Sequence, residues 1–358
     1  MKNELTAVSL FTGAGGMDVG FERAGVKVIL ANEIVKEAAE TYKANHLRGY
    51  IVNDDINNVI GSMEEYRGVD LVFGGPPCQG FSVAGKMDPN DERSKLIFTF
   101  LDVVEKVQPN IFVMENVKAL GKLDKWEPIR SKYLDRARKL GYNCASFILN
   151  AIEYGVSQKR ERVFFIGFKD NIDPFYESHM KDCIERQKKT APLIRELLSS
   201  LGKAGTDKNP NTCTAKITFA TRPIMRKSPY AGMYFNGQGR PMNVDDYSNT
   251  LPASMGGNKT PLIDEEYLYG DATEDWVVAY HRALLDGSLT PEFAEAPSRL
   301  RRITINEAVR IQTFPDDYIF CGNKGKIYTQ IGNAVPCKLA EAVANAVIAY
   351  QQEYKEFN

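Results

Sequence analysis

The chain has 358 residues, 43% of them hydrophobic and 25% charged, with a formal net charge of −1. That composition is ordinary for a globular protein, and the length allows one large α/β domain plus a smaller one. No apolar run reaches membrane-span length, the first residues lack a signal-peptide core, and the six cysteines (Cys78, Cys144, Cys183, Cys213, Cys321, Cys337) form no Cys-x-x-Cys pair; together these argue against a membrane protein, a disulfide framework and a zinc site, and for a cytoplasmic location.

Residues 7–10 read as a buried strand running into Phe11-Thr12-Gly13-Ala14-Gly15-Gly16, a glycine-rich turn that opens a helix closing at Gly25. A second strand over 26–31 ends at Asn32-Glu33. An acid about twenty positions beyond a glycine loop commonly bonds ribose hydroxyls, so this unit predicts an adenosine-bearing cofactor. The spacing is G-x-G-G and not G-x-G-x-x-G, which leaves open a dinucleotide, another adenosine-bearing cofactor, and a plain glycine turn with no ligand. A helix over 35–45 and a strand over 50–52 lead to Asn53-Asp54-Asp55-Ile56. Asp55 can accept from an adenine amino group there, or simply cap the next segment.

The strand over 69–73 stops at Gly74-Gly75-Pro76-Pro77-Cys78-Gln79-Gly80-Phe81-Ser82. This delivers Cys78 to a strand's carboxyl end, where open α/β sheets bind ligands. The prolines fix the backbone ahead of it, and Gly75 leaves room for another molecule. A lone Pro-Cys reads as a small buried thiol; nine residues of this composition make Cys78 a candidate nucleophile. Residues 81–93 have the composition of a lid, a helix spans about 94–107, and a strand over 111–114 ends at Glu115-Asn116-Val117. Glu33, Asp55, Cys78 and Glu115 therefore all fall at strand ends that line one edge of a doubly wound sheet. A helix near 128–140 and a strand near 144–149 precede Gln158-Lys159-Arg160-Glu161-Arg162, whose alternate arginines share a strand face. A basic edge that deters aggregation is the other reading of that segment.

Beyond about residue 170 the alternation of helix and strand gives way to turn-rich sequence. The expected division is a first domain over 1–170, a second over 171–323, and a C-terminal segment over 324–358. The apolar stripe of that segment (Leu339, Val343, Ala346, Val347, Tyr350) must pack back on the first domain. Residues 181–240 carry twelve Lys/Arg against four Asp/Glu, and residues 241–298 two against eleven, so one face can meet phosphates. Arg222, Arg226, Lys227, Asn236, Gln238 and Arg240 lie in short strands and loops of this region. Arg, Asn and Gln are the residue types that read guanine and adenine edges. Thr304 with Glu307 starts a helix through a capping box, and Gly332-Asn333-Ala334-Val335-Pro336 forms a tight turn before the last helix.

Taken in order along nearly the whole chain, these motifs resemble the S-adenosylmethionine-dependent DNA (cytosine-5)-methyltransferases of the bacterial restriction–modification type. The resemblance rests on Phe11 to Gly16, Pro77-Cys78-Gln79 with Phe81-Ser82, Glu115-Asn116-Val117, Gln158 to Arg162, Arg302 to Pro315, and Gly332 to Pro336. It implies an α/β fold: a doubly wound, Rossmann-like mixed-sheet catalytic domain beside a smaller, irregular, β-rich target recognition domain. It implies that Cys78 adds to C6 of cytosine, that Glu115 holds the N3 and N4 edge, and that Arg162, supported by Arg160, holds O2. For the cofactor it implies Phe11 on the adenine, Glu33 on the ribose and Asp55 on the adenine amino group. Thr12, Gly13, Ala14, Gly15, Gly16, Ile34, Ile56, Gly75, Pro77, Leu96, Asn333 and Ala334 complete that pocket, with S-adenosyl-L-homocysteine as product and no metal. Gln79, Ser82 and Arg93 join the second-region residues as DNA contacts, and the target base leaves the stack, since its C5 and C6 are unreachable in a duplex. The implied setting is a monomer acting on double-stranded DNA, with a cognate restriction endonuclease. Competing readings are an RNA (tRNA) cytosine-5 methyltransferase on the same scaffold, a flavin- or nicotinamide-linked oxidoreductase, and a non-catalytic DNA-binding module. The lack of a second cysteine near Cys78 counts against the oxidoreductase.

Overall fold

Short runs of β-branched and aromatic residues, each ended by glycine or an acid, alternate with amphipathic segments over the first half of the chain, the pattern of a largely parallel sheet covered by helices. The computed structural model describes residues 4–77, 95–213 and 215–357. In chain order it contains β1 (Leu5–Leu10), α1 (Gly16–Arg23), β2 (Val26–Asn32), α2 (Lys36–Asn45), β3 (Tyr50–Val52), α3 (Ile56–Val59), β4 (Leu71–Gly74), α4 (Leu96–Val107), β5 (Ile111–Val117), α5 (Lys118–Lys122), α6 (Glu127–Lys139), β6 (Tyr142–Asn150), β7 (Gln158–Lys159) and β8 (Glu161–Lys169). All these strands except β7 form one seven-stranded sheet, ordered β3-β2-β1-β4-β5-β8-β6. β1 to β5 pair in parallel. β8 runs antiparallel to both of its neighbours, β5 and β6. The sheet is therefore mixed, as expected.

Contact density divides the chain into two units: Met1–Gly155, Arg160–Thr190 and Ala334–Asn358 make the first, and Val156–Lys159 with Ala191–Asn333 the second. In the first, β4 is buried along its whole length, and α4 covers the sheet with Ile97, Phe100, Leu101 and Val104. Residues 171–190, counted with the second domain on composition, lie in the first unit. The reason is α7 (Tyr176–Glu185), which buries Tyr176, Met180 and Cys183 and meets the final helix, Cys337–Glu353. Tyr350 of that helix donates to Asp173 Oδ2 at 2.8 Å and accepts from Asn171 Nδ2 at 3.0 Å. The predicted stripe of Leu339, Val343, Ala346, Val347 and Tyr350 is buried throughout, and the helix also packs on α1.

The second unit holds α8 (Ile194–Ser199), β9 (Phe219–Ile224), β10 (Met233–Phe235), β11 (Ser248–Asn249), β12 (Leu262–Asp264), α9 (Glu265–Tyr269), α10 (Trp276–Asp286), β13 (Leu300–Arg302), α11 (Ile305–Ile311) and α12 (Lys324–Asn333); the final helix is α13. Its strands pair two by two, β9 with β10, β7 with β11 and β12 with β13. Short ribbons cannot bury a face alone, and here an aromatic core supplies the cover: Tyr234, Phe235 and Leu262 pack with Val277 and Tyr280 of α10.

Candidate active site

The carboxyl ends of β1, β2 and β3 build one edge of the first unit. Phe11 leaves β1 with a φ of 54°, a left-handed conformation that a bulky aromatic rarely adopts. Thr12 is held by its N–H to Asn32 O at 3.1 Å. Glu33 is buried at the end of β2, where the N–H of Gly13 donates to its Oε2 and the N–H of Val35 to its Oε1, both at 2.7 Å. Burial raises this carboxyl above its usual range and the backbone donors oppose that rise. Beside it Ile34 is 60% exposed, an apolar side chain open at a polar edge. Asp55 takes the capping role: its Oδ1 accepts from the N–H and the side-chain amide of Asn57, each at 2.8 Å. Ile56 is buried behind it, while Phe11 and Leu96 are half-buried against the sheet core. Ala14, Gly15 and Gly16 are buried at the start of α1.

The next two strand ends carry the acid–arginine pair. Glu115 lies at the end of β5, opposite Phe164 of β8, and Val117 lies opposite Arg162. Because β8 is antiparallel, its beginning reaches the edge where β5 ends, and this brings Arg162 Nε to 2.8 Å from Glu115 Oε1. Arg160 is 2% exposed and its charge also acts on Glu115. Burial pushes the Glu115 carboxyl up; Arg162, then Arg160, pull it back. Gly75, following β4, faces this pair so closely that a Cβ there would stand 2.9 Å from Glu115 Oε2. Asn116 Nδ2 donates to Pro76 O at 3.2 Å, fixing the turn in which Pro77 is exposed. Cys78, Gln79, Ser82 and Arg93, with the expected lid over 81–93, lie outside the described residues.

In the second unit, ion pairing separates two kinds of cation. Lys159, Arg195, Lys203, Lys216, Arg299 and Arg301 each bind a carboxylate. Arg222, Arg226, Lys227, Arg240 and Lys259 are exposed and make no ion pair among the described residues. Gln238 is exposed too. The loop presenting Gln238 and Arg240 lies along residues 258–262 through Gly239 N to Asn258 O (3.0 Å) and Leu262 N to Arg240 O (3.1 Å). Gly237, at φ +78°, permits that approach, because a Cβ would stand 2.2 Å from Asn258 O. A concavity of about 350 Å³ opens beside the loop, lined by Lys159, Tyr230, Gln238, Arg240, Asn249 and Lys259 among others. Asn236 is committed elsewhere: its amide donates to Lys216 O at 3.1 Å and accepts from Thr218 N at 3.2 Å. Asn333, exposed, ends α12, and Ala334, half-buried, follows it.

Three residues had no role assigned on sequence grounds. Asn116 sat inside a quoted motif, so its place was visible although its bond to Pro76 was not. Arg302, 1% exposed, donates to Thr260 O at 2.7 Å and Asn236 O at 3.3 Å, beneath the loop of Gln238 and Arg240. Asp18 is wholly buried in α1, accepts from Tyr42 Oη at 3.2 Å, and is pushed up to about 6 by burial. No periodicity in the sequence marks either as special.

A glycine loop, a pinned acid one strand away and a buried acid–arginine pair lie along a single edge of a mixed α/β sheet, the edge at which such sheets bind ligands. The family model for C-5 cytosine-specific DNA methylases matches residues 5–349, and the chain belongs to that family, the DNA (cytosine-5)-methyltransferases. It is 32% identical over 346 residues to the Type II methyltransferase M.FnuDI of Fusobacterium nucleatum, covering 95% of this chain and 93% of that protein. With M.NgoPII of Neisseria gonorrhoeae it shares 29% over 352 residues, 96% of each. Among solved structures, the S. pombe Dnmt2 methyltransferase aligns with a TM-score of 0.64 at 16% identity, covering 98% of both chains, a likeness of fold.

Proposed function

We propose that this protein transfers the methyl group of S-adenosylmethionine to C5 of a cytosine flipped out of double-stranded DNA, through a covalent bond between Cys78 and C6. The observation that carries the reading is the buried Glu115–Arg162 pair facing Gly75, three residues before Cys78. C5 of cytosine is a weak nucleophile until a thiolate adds at C6 and makes it enamine-like. Burial favours the protonated form of Glu115, so its carboxyl can give a proton to N3 as the thiolate adds. Arg162 holds O2 and keeps Glu115 in place, and Arg160 supports both. Cys78 is freed by elimination once the C5 proton leaves.

The glycine-loop edge fits the cofactor. Thr12 Oγ1 is buried with no hydrogen-bond partner among the described residues, and buried polar atoms are seldom left so. Phe11 and Ile34 offer apolar surface for an adenine, and Glu33 a carboxylate for ribose hydroxyls. When bound, S-adenosylmethionine supplies the electrophilic methyl; the chain's own residues orient it and exclude water. The second unit serves as the target recognition domain, its unpaired cations (Arg222, Arg226, Lys227, Arg240, Lys259) meeting phosphates or base edges. A monomer in the bacterial cytoplasm, paired with a cognate restriction endonuclease, completes the reading; likeness to the Type II methyltransferases M.FnuDI and M.NgoPII supports the restriction–modification setting.

The test is DNA in which 5-fluorocytosine replaces cytosine. The wild-type protein should form a denaturant-resistant adduct that requires S-adenosylmethionine, and Cys78→Ser should bind the DNA without forming one. Absence of the adduct, or methylation of tRNA but not of DNA, would overturn the proposal.

A further inference from the structure

Gln158 opens the Gln-x-Arg-x-Arg motif, yet its side chain faces the interior of the second unit and is fully buried. Its amide is satisfied at both ends. Oε1 accepts from Leu251 N at 2.9 Å, and Nε2 donates to Gln312 Oε1 at 2.8 Å. Gln312, equally buried, passes the chain on by donating to Ile331 O at 2.6 Å. Around this relay β7 pairs with β11, Ser248 N donates to Ser157 O at 2.9 Å, and Thr250 Oγ1 donates to Lys159 O at 2.9 Å. The segment so fixed, residues 246–252, is one wall of the concavity that Arg240 and Lys259 also line.

We propose that Gln158 is a positioning residue for target reading: through Leu251 and Gln312 it sets the wall formed by residues 246–252 against the loops of Arg240 and Lys259. The inference rests on the second unit being the DNA reader. A glutamine suits the task because one planar amide offers a donor and an acceptor in fixed geometry. No apolar residue of similar size can do the same. Once the relay is broken, Leu251 N and Gln312 Oε1 lose the buried bonds that Gln158 makes to them, and the wall shifts in response.

The experiment measures steady-state methylation of unmethylated phage genomic DNA, with S-adenosylmethionine affinity and melting temperature followed in parallel. Gln158→Met should raise the KM for DNA about tenfold, the equivalent of one lost buried hydrogen bond, while kcat at saturating DNA and cofactor affinity stay within about threefold. Gln312→Met should act alike, and the double variant should be little worse than either single one, because both break the same relay. Three results would overturn the inference: an unchanged KM for DNA with a lowered melting temperature, a loss of kcat or cofactor affinity matching the loss in KM, or full additivity of the two substitutions. A wild-type protein inert on DNA would overturn the parent reading as well, so the two failures are distinguishable.

Discussion

Gly75 stands directly against the Glu115 carboxyl, and this makes Gly75→Ala the most informative small change. The added methyl carbon would stand 2.9 Å from Glu115 Oε2, whereas ordinary contact begins near 3.4 Å. The carboxylate must therefore retreat by about half an ångström. A free side chain would do so at little cost, but this one is held by Arg162 at 2.8 Å. A retreat of that size takes the pair beyond good hydrogen-bond geometry. Catalytic groups tolerate about 0.5 Å of misplacement, and about 1 Å costs roughly a hundredfold in rate. A fall in kcat of about 10- to 100-fold follows, with stability reduced by no more than about 2 kcal/mol, since one methyl is added at a half-buried position. Transfer of a tritiated methyl group under saturating DNA and cofactor reads kcat directly, and a thermal melt reads stability. A variant that turns over within twofold of wild type would show that Glu115 has room to move, and that its placement does not limit the rate.

Two further outcomes can be checked separately. Asp18, pushed up to about 6 by burial despite the opposing charge of His46, favours the folded state when protonated. That contribution is present below about pH 4 and lost as pH rises through about 6, leaving a penalty of up to about 3 kcal/mol at pH 8. Asp18→Asn should therefore stabilise the protein in urea melts at pH 8 and confer no gain near pH 4; equal effects at both would remove burial of the charge as the cause. Replacing Arg222, Arg226 and Lys227 together with alanine should flatten the salt dependence of DNA binding by about three in log–log slope. Lys203→Ala, which removes a cation paired with Asp271, should leave that slope unchanged, and identical slopes for all the proteins would remove these three cations from the interface.

What the sequence disclosed, it disclosed where local chemistry and tertiary position coincide. The strands ending at Leu10, Asn32, Gly74 and Val117 stand out because an apolar run breaks abruptly at glycine, proline or an acid, and those breaks are the sheet edge itself. Direction is another matter. A buried run such as Val163 to Ile166 looks the same whether it runs with or against its neighbours, so the reversal of β8 that delivers Arg162 to Glu115 could not be read. Asn236 illustrates a second limit. An amide in a glycine-rich loop suggests contact with bases, but its partners Lys216 and Thr218 lie about twenty residues away and only folding reveals them. Gln158 shares a motif with Arg160 and Arg162, yet nothing local in the sequence shows that its own bonds run to Leu251 and Gln312.

The packing of α13 on α1 carries a consequence for how the molecule is made. The helix that opens with the glycine loop leaves the ribosome well before α13, and its buried side waits for a partner encoded more than three hundred residues later. Until the stretch through Tyr350 has emerged, α1 lacks its cover, and domain-by-domain folding during synthesis cannot finish the first unit. Methyl transfer should thus switch on only once α13 has been made and docked. Premature termination would yield inert fragments, not enzymes with weakened grip on their target.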